Sequence, residues 1–179
     1  GLLAGLDKVD WPESTKAAQK NWIGRSEGAE FELRIKNYEL LIKVYTTRLD
    51  TVFGMTYVVI SPEHKIINEL KSQIKNWPEA EKYLENAKKK TDLERMETKE
   101  KTGVRLEGVE AVNPFNNQAV PVFMADYVLA HYGTGAIMAV PAHDERDWEF
   151  AKKYGLEIRE VIKTKTLPQP SPYQGEGAY

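Results

Sequence analysis

Two short stretches hold most of the side chains in this chain that could do chemistry. Residues 132–150 read YGTGAIMAVPAHDERDWEF and set His143, Asp144 and Asp147 directly behind a short apolar run. Residues 46–51 read TTRLDT and put hydroxyls, a guanidinium and a carboxylate behind another apolar run. Polar groups gathered at the ends of buried strands are where pockets form, so the two stretches are expected to wall one pocket.

Asp144 and Asp147 stand three apart at a helix start. One reading is capping, with Asp144 accepting backbone N–H bonds and Asp147 complementing the helix dipole; the other is that a carboxylate so placed binds an ammonium group. In TTRLDT the hydroxyls can bond a carbonyl, a ribose or a water, and Arg48 can clamp a phosphate or carboxylate. The same residues could equally form a turn that satisfies its own backbone, with Asp50 holding Arg48. His143 and Asp147 share a helical spacing that would suit a metal, yet the other histidines, His64 and His131, form no second ligand-spaced motif, and no metal is expected. No serine sits on a glycine-flanked elbow, and Thr46, Thr47 and Thr51 have no base beside them, which argues against a nucleophilic triad. Gly133 and Gly135 lack the third glycine and the following helix of a dinucleotide loop; they read as backbone freedom where a strand passes close to a ligand or another segment.

These groups must be held by a framework. The chain has 179 residues, 41% hydrophobic, enough for one domain with a full core. A net charge of −2 does not suit a protein that grips long duplex nucleic acid, so DNA is not an expected partner, while a short single strand remains compatible. The absence of cysteine excludes disulfides and thiolate chemistry and fits a cytoplasmic protein. No segment has the apolar length of a membrane span, and no membrane partner is expected. A helix is expected over residues 13–23, stopped by Gly24, as a linker element in residues 1–24. Strands are expected at 29–35, 40–45, 57–60, 109–112, 120–124, 136–140 and 158–162, with the turn residues Asn113, Pro114, Asn116 and Asn117 making a hairpin of the fourth and fifth. Helices are expected from Ser61 through Ile74, from Pro78, over 93–101 and over 145–154. The run Lys88 to Lys90 reads as a solvated helical face. Residues 164–179, rich in proline and glycine, read as an irregular connector toward something outside this chain. The order predicts an α+β (mixed α/β) architecture around a curved sheet or small barrel.

Taken together, TTRLDT and GTGAIMAVPAHDERDWEF resemble the editing domain of the class I synthetases for leucine, isoleucine and valine, and look most like the bacterial leucyl-tRNA synthetases. The resemblance starts at NWIGRSEGAEFEL and runs to about Lys163, so the editing domain is expected over residues 25–163. It implies a compact β-barrel-like domain flanked by helices and inserted in an ATP-using core. The HIGH and KMSKS signatures of that core are absent from this sequence, so no ligase activity is expected of it.

The implied reaction is hydrolysis of the ester joining isoleucine, norvaline or methionine to the terminal adenosine of tRNA(Leu), with leucine excluded by size. That double-sieve logic is the general answer where one methylene discriminates too weakly. The implied partners are the 3′ acceptor end of tRNA(Leu) and the remainder of the leucyl-tRNA synthetase. The resemblance implies no cofactor, no metal and no covalent intermediate. Position by position, Asp147 matches the aspartate that holds the substrate α-ammonium, and Thr46 and Thr47 the threonines that bond substrate and position water. Thr51 matches the threonine that blocks the leucine side chain, and Met138 and Val140 match pocket wall. Tyr132 and Arg48 match residues near the terminal adenosine, while Asp144 is expected beside the substrate at the helix start. Leu49 stands where the family often has proline, and a module that binds RNA with little or no hydrolysis is the alternative that this departure motivates.

Overall fold

A computed structural model describes residues 2–23, 28–98, 101–131 and 133–163. Gly24, Tyr132 and the 164–179 connector lie outside the described residues. In β1 (Ala29–Ile35) the apolar Phe31, Leu33 and Ile35 alternate with charged neighbours, and the strand turns through Asn37, at φ 67°, into β2 (Leu41–Thr46). The two pair antiparallel from Ala29 opposite Thr46 to Arg34 opposite Leu41. A 3₁₀ turn over Leu49–Gly54 then leads to β3 (Tyr57–Ile60), which is buried on both faces.

β4 (Val104–Val112) and β5 (Ala119–Met124) form the expected antiparallel hairpin, and β6 (Ala136–Ala139) completes a sheet ordered β2-β1-β4-β5-β3-β6. Only β3 and β5 run parallel. The first and last strands of this order approach one another, so the sheet nearly closes into a barrel. The α+β expectation and the barrel-like, helix-flanked expectation both hold.

Strand periodicity sorts the side chains into two cores. Leu33, Ile42, Val58, Ile60, Leu106 and Val122 fill the inside of the barrel. On the outer face, Tyr57 and Phe123 pack with Phe150 and Tyr154 of the helix α6 (Glu145–Tyr154), the Tyr57 and Phe150 rings stacked at 5.3 Å. Each large apolar side chain so buried contributes roughly 1.5–3 kcal/mol. The α6 helix is therefore fixed to the barrel wall by aromatic packing before any polar contact is counted.

Several boundaries differ from those expected. A short helix, α1 (Leu2–Leu6), precedes the expected one, α2 (Glu13–Ile23). The helix expected from Ser61 is α3 (Ile66–Leu70): it begins only at Ile66, because Ser61 to His64 close a separate turn, and it ends before a 3₁₀ turn. The Pro78 helix is present as α4 (Trp77–Lys88). The helix expected over 93–101 is the short α5 (Asp92–Glu97): a Thr91–Glu94 capping box starts it, and extended backbone at Thr98, with ψ 113°, stops it. β4 starts five residues before the expected 109, passing a register shift that Gly108 permits at φ 90°. Residues 158–162 form no strand. They run beside Gly54 without a ladder partner, and the Val161 amide donates to His143 Nε2 at 3.3 Å.

Candidate active site

Chain direction followed across the sheet explains why the two motifs meet. Three antiparallel pairings, one parallel and one more antiparallel separate β2 from β6, so both run the same way and end at the same rim of the barrel. β2 ends at Thr46, where TTRLDT begins, and β6 ends at Ala139, just before Val140 and the α6 start. Near-closure sets these strand ends side by side around a cavity of about 640 Å³. Thr46, Thr47, Arg48 and Thr51 line it together with Met138, Val140, Asp144 and Asp147. Of the expected site residues, only Tyr132 lies outside the described ones.

Asp144 is the α6 N-cap, its side chain accepting from the Asp147 amide at 3.0 Å, so capping is real for Asp144 while it also lines the cavity. Asp147 is different. It is 2% exposed, and its Oδ2 accepts from the Val140 amide at 2.9 Å, tying the helix start to the end of β6. Tyr57, inside the aromatic core, donates its hydroxyl to the Asp147 carbonyl at 3.0 Å. The other carboxylate oxygen, Oδ1, is buried with no hydrogen bond. Arg146 Nε stands 3.6 Å away, which supplies attraction without a hydrogen bond. Burial, and then the charge of Asp144, push the Asp147 carboxyl up to about 6. The Tyr127 hydroxyl is also buried without a partner in this cavity, and the Arg146 guanidinium lies 5.3 Å over its ring.

The threonine motif is a self-satisfied turn and a cavity wall at once. Thr46 Oγ1 accepts from the Arg48 amide at 3.0 Å, and Thr51 Oγ1 donates to the Arg48 carbonyl at 2.8 Å. Leu49 enters the 3₁₀ turn at its first position, where proline would be preformed, and the turn closes without it. Thr51 is fully buried and Thr47 exposed. Arg48 is held by Asp50 through Nε to Oδ1 at 3.0 Å and Nη2 to Oδ2 at 2.9 Å, and that guanidinium keeps the Asp50 carboxyl below its ordinary range. A Cβ at Gly135, where φ is 71°, would stand only 3.3 Å from the Ala130 Cα, a crowding that glycine avoids. Among the described residues, no group of three His, Cys, Asp or Glu side chains is arranged to hold a metal ion.

A carboxylate with one oxygen free of hydrogen bonds and the hydroxyl residues Thr46 and Thr47 line one cavity, an arrangement suited to a ligand carrying a cation and acceptors. Comparison with known proteins gives this arrangement a family. The family model for the leucyl-tRNA synthetase editing domain matches residues 20–179. The chain belongs to that family. It is 54% identical over 176 residues to a leucine–tRNA ligase of Chlorobaculum parvum, covering 98% of this chain and 22% of the ligase. It is 55% identical over 162 residues to that of Alkaliphilus oremlandii, covering 90% and 20%. Among solved structures, the ternary complex of Agrobacterium radiobacter K84 LeuRS with tRNA and LeuAMS superposes with a TM-score of 0.71 at 36% identity, covering 95% of this chain and 20% of that one. The chain thus spans about a fifth of the length of these relatives. No helix among the described residues is long and apolar enough to cross a membrane.

Sequence reasoning missed part of this editing-domain pocket. Tyr45, Met96, Tyr127, His131, Thr134 and Arg146 also line it. Arg146 was legible in principle, lying between the two aspartates singled out, whereas Met96 reaches the cavity only because α5 packs beside the segment that follows β5.

Proposed function

We propose that this editing domain hydrolyses the ester between a wrong amino acid and the terminal adenosine of tRNA(Leu). The single observation that carries the reading is Asp147: a buried carboxylate with one oxygen bonded to the barrel and the other without a hydrogen bond in a cavity. Such a group stabilises a ligand ammonium with a charge-assisted bond that bulk solvent weakens little. Anchoring the amine there fixes the ester in the cavity. Thr46 and Thr47 then bond the ester and the attacking water, and stabilise the oxyanion as it forms. Most of the rate on this reading comes from orientation and preset polar groups. Thr51, Met138 and Val140 bound the space for the side chain and exclude leucine, while isoleucine, norvaline or methionine is accepted. Asp144 holds the helix start in place beside the substrate. Arg48 faces the adenosine, and Tyr132, which lies outside the described residues, matches a family residue near it. Only the single-stranded acceptor end has to enter, which agrees with a net charge of −2.

Deacylation of isoleucyl-, norvalyl- and leucyl-tRNA(Leu) tests this, on the chain alone and joined to the remainder of a leucyl-tRNA synthetase. The expected result is loss of the first two well above background with the leucyl ester retained. Binding of all three with equal, background-level loss would instead establish a module that holds RNA without editing it.

A further inference from the structure

Three segments of the chain meet at one guanidinium behind the cavity wall. Arg95 of α5 is 5% exposed, although arginine is among the residues least often buried. Its Nε donates to the Asp126 carbonyl at 2.6 Å and its Nη2 to the Val128 carbonyl at 3.3 Å. Nη1 and Nη2 also reach the two carboxylate oxygens of Glu63 at 2.9 and 3.2 Å, with Asp92 a further 3.8 Å contact. The segment that it grips follows β5 and supplies Tyr127, Val128 and Leu129 to the cavity, with Arg146 lying over the Tyr127 ring.

This segment has no sheet ladder to hold its carbonyls, so its shape depends on the donors that reach them. A planar fork reaches these four acceptor atoms together; an ammonium group, with three donors on a single nitrogen, cannot match them. The Asp126 side chain is separately fixed by Tyr83 at 3.0 Å and Lys90 at 2.6 Å, which anchors one end of the segment on the Trp77–Lys88 helix and its neighbour. Arg95 is what fixes the stretch beyond it, where the cavity is lined.

We propose that Arg95 is a positioning residue for the editing pocket, setting the 127–129 wall against Arg146 and Asp147 without touching the ligand; this rests on the hydrolytic reading above. The test compares the wild-type chain with Arg95→Lys, which keeps the charge but not the fork, Arg95→Met, and Glu63→Gln. Deacylation kinetics, thermal melting and amide hydrogen exchange are read on the same preparations. In Arg95→Lys, exchange over 125–131 should quicken at least tenfold while β3 and β5 stay protected, and KM for mischarged tRNA should rise about fivefold with kcat within about twofold. Glu63→Gln should move the same quantities in the same direction by less. Unchanged exchange over 125–131 in Arg95→Lys, or kinetic constants equal to wild type in the folded variant, would overturn the proposal. If the wild-type chain itself fails to deacylate, the hydrolytic reading falls, and local exchange alone then decides whether Arg95 sets this wall.

Discussion

Asp147 concentrates the chemistry and carries an energetic burden. Its folded-state value of about 6 lies above the ordinary 3.8, so the folded protein binds this proton more tightly than the unfolded chain does. The stability that this proton supplies is fully present below about pH 4 and is lost as the pH rises through about 6, a difference of roughly 3 kcal/mol. Asp147→Asn keeps the shape and removes the charge. At pH 7.5 it should melt no lower than wild type yet lose about 30-fold or more in kcat/KM for mischarged tRNA, matching a charge-assisted contact of about 2–3 kcal/mol. Wild-type activity should also rise with pH through a limb near 6 that the variant lacks; a variant as active as wild type would remove the ammonium anchor from the account. Thr51→Ala tests the size filter. It should deacylate leucyl-tRNA(Leu), which wild type spares, and unchanged specificity would show that the filter lies elsewhere. The residue types of this site were readable because carboxylate, hydroxyls and strand ends stand close in sequence. Which oxygen of Asp147 lacks a hydrogen bond was not readable, since that depends on the Val140 amide brought across by folding.

At the scale of elements, alternation made β1 legible and β-branched or continuous apolar runs made β2, β3, β5 and β6 legible, while Asp144 with Gly155 bounded α6 correctly. The errors have a common cause: local pattern gives no account of partners. Residues 158–162 have strand character but pair with no strand, and they lie beside the Leu49–Gly54 turn instead. Val104 and Leu106 alternate with Arg105 and Glu107 as strand residues should, yet Gly103 reads as a helix stop and Gly108 interrupts the run. Gly108 in fact lets β4 bend past Gln73. A Cβ there would meet the Gln73 carbonyl at 2.9 Å with φ at 90°. Gly108→Ala should therefore destabilise by about 1–3 kcal/mol, read as a melting temperature several degrees lower. No shift would mean that this bend relaxes freely.

Over the whole molecule, near-closure of one sheet is what turns two distant motifs into a site. The strands preceding them are first and last in the order, and a flat open sheet would hold them at opposite edges. The barrel thus does for the pocket what no local sequence signal could do, while the aromatic layer under α6 keeps the helix start that carries Asp147 from drifting. The most direct measurement is a crystal structure of the protein soaked with a nonhydrolysable mimic of norvalyl-adenosine. The α-nitrogen should lie within about 3 Å of Asp147 Oδ1, with the amino-acid side chain against Met138 and Val140. A nitrogen bound elsewhere, with Asp147 Oδ1 still without a hydrogen bond, would contradict the ammonium anchor.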